Sequence, residues 1–135
     1  MKKTIGITVI ALLMIVLGSA FKGGDQPKPW PTPDAAAAKK NPVATSAGSI
    51  ADGKELYDTH CASCHGKKGK GDGSKAAQLE TDCGDLTSAA TQKLTDGALF
   101  YKIQTGRDDM PSFKKKLPDA NDIWNVVNYV RSLKK

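Results

Sequence analysis

Cys61-Ala62-Ser63-Cys64-His65 is the stretch of this 135-residue chain with the strongest chemical signal. Two residues separate the cysteines, and thiols at positions i and i+3 lie on the same face of one helical turn. Both thiols can therefore reach one ligand, and the histidine that follows can turn its imidazole toward the same place. A C-x-x-C-H run is the pattern for covalent attachment of haem. The spacing predicts thioether bonds from Cys61 and Cys64 to one haem, with His65 on its iron.

Two other uses of these residues remain open at this point. A redox disulfide of the thioredoxin type also uses C-x-x-C, but there the pair follows a β-strand in a βαβ unit. No strand-like run of Val and Ile precedes Cys61. A zinc site would need a second pair of ligands, for which the chain offers only His60 and Cys83.

Length and charge limit the number of domains and the kinds of partner that the chain can have. A chain of this length has room for one small domain. The formal net charge is +6, but residues 49–135 hold 14 basic against 12 acidic residues, so the excess there is small. A domain that binds nucleic acid would be expected to carry a concentrated basic patch. The composition therefore argues against nucleic acid as a partner.

Residues 1–20 have the pattern of an export signal. Two lysines precede an apolar run from Ile5 to Leu17, and small residues follow at positions 18–20. We expect cleavage after Ala20. An uncleaved anchor is the alternative, because the 17 residues from Ile5 to Phe21 approach the length that spans a bilayer. Either way we expect an exported, periplasmic domain, soluble or tethered to the cytoplasmic membrane.

Residues 21–48 are rich in Pro, Ala and Lys and contain few large apolar side chains. Such a composition is typical of an extended or disordered linker, because it cannot build a core of its own. Trp30 lies between two prolines in this stretch. It is the one residue of this stretch that could dock on the domain, but we expect its side chain to be exposed or loosely held.

Residues 49–135 have the pattern of a small all-α domain with three main helices. We expect the first helix to begin at Ser49, which can cap it. The second is expected to begin at Thr95 and to end at Gly106, and the last to run from about Asp119 to the C-terminus. Three helices of this size bury little core by themselves. A haem, with its large apolar faces, would supply what the chain lacks.

Cys83 is the odd cysteine of the chain. In an exported protein, an unmatched cysteine can form an intermolecular disulfide or serve as a reactive thiol. We expect instead a partly buried thiol without a role, because free cysteine packs well as a small apolar residue.

Further motifs accompany the C-x-x-C-H run: Gly53 and Tyr57 before it, Gly66 directly after it, Gly71-Asp72-Gly73, Gly106-Arg107, Met110-Pro111-Ser112-Phe113, and the apolar stripe from Trp124 to Leu133. With these motifs, residues 49–135 resemble a class I cytochrome c domain of the small bacterial periplasmic kind. The resemblance implies a cytochrome c-like helical domain wrapped around one covalently bound haem c. It also implies that the first helix crosses the last, with Gly53 and Tyr57 against Val126 and Tyr129.

The resemblance implies a ligand set as well: thioethers at Cys61 and Cys64, His65 as the proximal ligand and Met110 as the distal ligand. Met110 is the only methionine outside the N-terminal segment, and it lies among charges before a proline. That setting fits a ligand better than a core filler. Family members often have a proline after the motif whose carbonyl accepts the imidazole N–H. No proline lies between Cys64 and Met110 here, so another acceptor is expected.

These ligands would leave the iron no open position for a substrate, and a His/Met pair raises the reduction potential. We therefore expect a one-electron carrier of a respiratory or related electron-transport chain, not an enzyme, with redox proteins as donor and acceptor. One alternative is a haem c subunit of an oxidoreductase complex. Another is a haem enzyme in which Met110 can be displaced. A membrane contact is expected only if the N-terminal segment stays uncleaved.

Overall fold

The structure is a computed structural model that describes residues 29–134. Six helices follow one another along this range: α1 (Asp34–Ala37), α2 (Ala47–His60), α3 (Ala62–His65), α4 (Ala89–Gln92), α5 (Asp96–Thr105) and α6 (Ala120–Ser132), with a 3₁₀ turn at Ala76–Gln78. The same range contains no β-strand, only an isolated bridge between Arg107 and Met110. The predicted all-α fold is confirmed.

The export segment that we predict at residues 1–20 lies outside the described residues, as do the first residues of the predicted linker. Between residues 29 and 134, none of the helices has the length and apolar character needed to cross a membrane.

The N-cap of helix α2 lies three residues earlier than the sequence predicts. Ser46 is the N-cap residue, and its side chain accepts a hydrogen bond from the backbone N–H of Ser49 at 3.1 Å. The Ser49 hydroxyl accepts in return from the backbone N–H of Ser46 at 2.9 Å. The two serines thus form a capping box, in which two of the unpaired N–H groups of a helix start are satisfied reciprocally. Our assignment of the cap to Ser49 was wrong by three residues, because Ser46 is the N-cap of the box and Ser49 is its N3 residue.

The crossing of α2 and α6 is the most extensive contact between helices. Gly53 allows it, because a Cβ atom at this position would lie 2.0 Å from the Asn125 carbonyl oxygen and 3.1 Å from the Tyr129 Cβ. One turn further along α2, the Tyr57 ring meets the Tyr129 ring at 5.0 Å between centroids, tilted by 57°. The predicted crossing of the first and last helices is confirmed at these residues.

The apolar core lies between α5, α6 and the loop that joins them. The Phe100 and Trp124 rings stack at 4.1 Å between centroids. Val126 and Val127 on α6 are almost completely buried, as the apolar stripe of this helix predicts. Both helices start at the caps expected from the sequence, Thr95 for α5 and Asp119 for α6.

Residues 29–45 pack against the helical domain, which differs from the extended or disordered chain that their composition predicts. The Thr95 hydroxyl donates to the Ala37 carbonyl at 2.7 Å. The Asn41 side chain donates to the buried Asn128 side chain at 2.8 Å, and Asn128 donates to the Val43 carbonyl at 3.2 Å. These bonds use backbone carbonyls and two amides, so the segment is held without a large apolar surface of its own.

We predict that Gly53→Ala destabilises the protein by about 1–3 kcal/mol, because the new methyl group would force α2 and α6 apart. Gly48→Ala, in the first turn of α2, is the matched control. Its new Cβ would meet nothing closer than the Ser46 hydroxyl at 3.7 Å, so stability should stay equal or rise slightly. Urea unfolding of the purified haem-loaded protein measures both. Equal stability of the two variants would show that the crossing tolerates a side chain.

Candidate functional site

One cavity of about 330 Å³ lies between α2, α3, α5, α6 and the loops that connect them. Its wall is mainly apolar, and Leu99, Ile103, Val126 and Val130 contribute to it from α5 and α6. All four residues of the predicted ligand set also line it: Cys61, Cys64, His65 and Met110. The fold therefore brings together at one cavity residues that are up to 49 positions apart in the chain.

The two cysteines reach the cavity from the junction of α2 and α3. Cys61 ends α2, where its N–H donates to the Tyr57 carbonyl at 2.8 Å, and its own carbonyl accepts from the His65 N–H at 2.9 Å. Cys64 follows one turn later in α3 and lines the same cavity. Burial, with a smaller contribution from Cys64, raises the pKa of the Cys61 thiol to about 12. Cys61 is therefore a neutral thiol at neutral pH in the absence of a bound group.

Two observations concern the alternative uses of the motif. Cys61, Cys64 and Cys83 are all free thiols, so no disulfide links them. Over residues 29–134, no three side chains among His, Cys, Asp and Glu are grouped so that they could hold a metal ion.

The His65 side chain is half-buried with its Nδ1 atom inaccessible, and burial lowers its pKa below the usual value. The Cys83 backbone acts on this pKa in the opposite direction, toward higher values. The Nδ1 atom itself has no hydrogen bond of normal geometry within the described residues. A buried, neutral imidazole is the form that binds metals.

Met110 is presented by a tight turn that follows α5. Gly106 ends the helix with a φ of 66°, and a Cβ atom there would lie 2.4 Å from the Met110 carbonyl oxygen. Arg107 and Met110 exchange two backbone hydrogen bonds, of 2.8 and 2.9 Å, across the turn. Asp108 between them adopts a φ of 50°, which is uncommon for a residue other than glycine. The turn holds the half-buried Met110 side chain against the apolar core.

The glycine-rich loop after His65 folds back over the C-x-x-C-H motif. The Tyr57 hydroxyl donates to the Gly66 carbonyl at 2.7 Å, and the Gly71 N–H donates to the His65 carbonyl at 2.8 Å. Lys70 forms an ion pair of 2.7 Å with Asp85, in the segment that carries Cys83. These bonds fix the backbone on both sides of the imidazole.

Trp30 lines the cavity together with Lys102 and Arg107, a group that the sequence did not reveal. Lys102 Nζ lies 4.4 Å from the centroid of the indole ring, and the Arg107 guanidinium carbon lies 4.7 Å from it. Our expectation of a loosely held tryptophan was therefore wrong. The partners of Trp30 are about 70 positions away, and nothing near it in the chain predicts them.

The donor set and the wall fit a haem. The site offers two thiols one helical turn apart, one buried imidazole with an unpaired ring nitrogen, one thioether and a largely apolar enclosure. Imidazole nitrogen and thioether sulfur are the axial ligands of the low-spin haem of cytochromes c.

Comparison with known proteins agrees with this chemistry. Residues 48–130 match the family model described as cytochrome c oxidase, cbb3-type, subunit III. Cytochrome c6 of Diacronema lutheri is 29% identical over 85 residues, which cover 63% of this chain and 96% of that protein. The cbb3-type cytochrome c oxidase subunit CcoP of Azospirillum brasilense is 35% identical over 95 residues, which cover 69% of this chain but only 31% of CcoP.

Solved structures give the same result. The Kuenenia stuttgartiensis reducing HAO-like protein complex Kustc0457/Kustc0458 contains a similar chain, with a TM-score of 0.61 and 27% identity. The match covers 80% of this chain and 53% of that one. The KustC0563 c-type cytochrome aligns with a TM-score of 0.55 and 31% identity, over 62% of this chain and 99% of that one.

The fold and the cavity define a small class I c-type cytochrome, a haem c protein of electron transfer and not an enzyme. The chain belongs to the family of cytochrome c domains described as cytochrome c oxidase, cbb3-type, subunit III.

Proposed function

We propose that Cys61 and Cys64 hold one haem c through thioether bonds, that His65 and Met110 are its axial ligands, and that the protein carries single electrons between redox proteins. The observation that carries this proposal is the convergence of all four side chains on one largely apolar cavity. The haem supplies the one-electron chemistry of its iron, and the chain supplies attachment, ligation and exclusion of water.

Each residue has a definable part in this function. Burial lowers the pKa of His65, which favours the neutral ring that binds a metal. The turn from Arg107 to Met110 limits how far the thioether can move, since its two backbone hydrogen bonds hold both ends. With both axial positions filled from the chain, no position is left for a substrate, which favours electron transfer over catalysis.

A second candidate function is that of a haem c subunit within a larger oxidoreductase complex. Two similar proteins carry such assemblies in their names, the CcoP subunit and the HAO-like complex. As partners we propose donor and acceptor redox proteins. For the N-terminal region we propose an export signal at residues 1–20, a linker at 21–48 whose second half docks on the domain, and the cytochrome domain at 49–135.

The attachment of haem is tested with cysteine variants. Cys61→Ala and Cys64→Ala should each lose one thioether bond, and the double variant should retain almost no covalent haem. Cys83→Ala is the matched control and should keep its haem, because its thiol lies outside the C-x-x-C-H motif. Haem staining after denaturing electrophoresis, with intact mass, measures the result. Covalent haem in the double variant would contradict the attachment.

The distal ligand is tested with Met110→Leu. Removal of the thioether should leave one axial position open, so the reduced variant should bind carbon monoxide at neutral pH while the wild-type protein does not. Leu99→Met changes a residue of the same cavity wall at nearly constant volume and should behave as the wild type does. Visible spectra with and without carbon monoxide measure this. Ready binding by the wild-type protein would support the haem enzyme with a displaceable Met110.

The location is tested by expression of the full chain. A cleaved signal should give a mature chain that starts at or near Phe21 in the periplasmic fraction, as read by mass spectrometry. Ala20→Leu should block cleavage, because the site needs small residues, whereas Ala20→Ser should not. A full-length wild-type chain that leaves the membrane only with detergent would instead support the anchor.

A further inference from the structure

The wall of the haem cavity includes part of the docked segment, residues 29–45, which precedes the residues that match the family model. The match begins at residue 48, yet Trp30 lines the cavity beside Lys102 and Arg107. The segment is fixed independently of Trp30, through the bond from Thr95 to the Ala37 carbonyl and the bond from Asn41 to Asn128. Trp30 is therefore held at the cavity by the docked segment.

Both cations of this wall are held by the first described residues of the segment. Lys102 Nζ donates to the Trp30 carbonyl at 2.6 Å, and an Arg107 guanidinium nitrogen donates to the Pro29 carbonyl at 2.8 Å. The same two cations lie within 5 Å of the indole centroid, so one ring interacts with both. A cation over an indole face gains about 0.5–2 kcal/mol, more where water is excluded.

Lys102 and Arg107 carry like charges, so the arrangement holds them together against their electrostatic repulsion. Burial, followed by the charge of Arg107, lowers the pKa of Lys102. Arg107 also forms an ion pair of 3.2 Å with Asp108, which reduces the repulsion only in part. The carbonyls of Pro29 and Trp30 and the indole ring therefore hold two positive charges together at this wall.

We propose that Trp30 is a positioning residue that holds Lys102 and Arg107 beside the haem and thereby raises the reduction potential of the protein. Reduction adds one negative charge to the haem, and nearby positive charges stabilise that state. Exclusion of water by the indole ring strengthens the effect, because the interaction of charges grows as the local dielectric constant falls. The inference rests on the proposed haem in this cavity.

The test compares midpoint potentials of full-length, haem-loaded variants. Trp30→Leu keeps apolar bulk but removes the π face, so its potential should fall by an amount equal to roughly a threefold change in the redox equilibrium constant. Trp30→Phe keeps a π face and should stay closer to the wild type. Lys39→Gln is the matched control. It removes one charge from the same segment, at a lysine that does not line the cavity, and should change the potential least.

A second background shows whether Trp30 acts through the two cations. Lys102→Gln with Arg107→Gln should lower the potential by itself, and Trp30→Leu should cause no further fall in that background. An equal fall in both backgrounds would overturn the positioning role. An unchanged potential in Trp30→Leu would also overturn the proposal. So would an unchanged potential in the variant with Lys102→Gln and Arg107→Gln, which gives an answer even where Trp30→Leu folds poorly.

The visible spectrum separates this inference from the proposed function. Every variant should show the same haem attachment and axial ligation as the wild type, because none of the four proposed ligands is changed. A wild-type protein without covalent haem, or without methionine ligation, would contradict the proposed function. A normal spectrum with an unchanged potential would contradict only the role of Trp30.

Discussion

The contact on which the rest of the structure depends is the close crossing of α2 and α6 at Gly53. The backbone of α6 lies where a side chain of α2 would otherwise be, with the Asn125 carbonyl 2.0 Å from the position of the absent Cβ. This crossing fixes the direction of α2 and therefore the point at which Cys61 ends that helix. It also fixes α6, whose Val126 and Val130 form part of the cavity wall. One glycine thus aligns the attachment motif with the apolar surface that faces it.

The cavity and the core share the same side chains. Leu99, Ile103, Val126 and Val130 belong to the buried cluster and also line the site. A domain of this size buries too little apolar surface to be very stable by itself. A haem in the cavity would complete the burial of these four side chains, and the apolar surface removed from water would add to the free energy of unfolding. The cofactor is for this reason part of the core as well as the redox centre.

The sequence was sufficient where side-chain chemistry carries the structure. The caps at Thr95 and Asp119 are properties of residue types and lie where the sequence predicts. The C-x-x-C-H motif and the single late methionine, which the sequence proposes as one ligand set, line one cavity. The sequence could not predict the contacts in which backbone carbonyls bind distant side chains. The Pro29 and Trp30 carbonyls that bind the two cations have no counterpart in residue type. Proline-rich composition predicted a loose linker for the same reason, since the bonds that dock it join residues far apart in the chain.

Because these bonds join residues far apart in the chain, they can form only late in its synthesis. Trp30 leaves the ribosome early, but its partner Lys102 follows 72 residues later, and Asn128 follows Asn41 by 87 residues. The C-x-x-C-H motif is complete well before either partner exists. The wall that contains Trp30 can therefore form only when the chain is nearly complete, so the attachment motif exists before the residues that enclose it on this side.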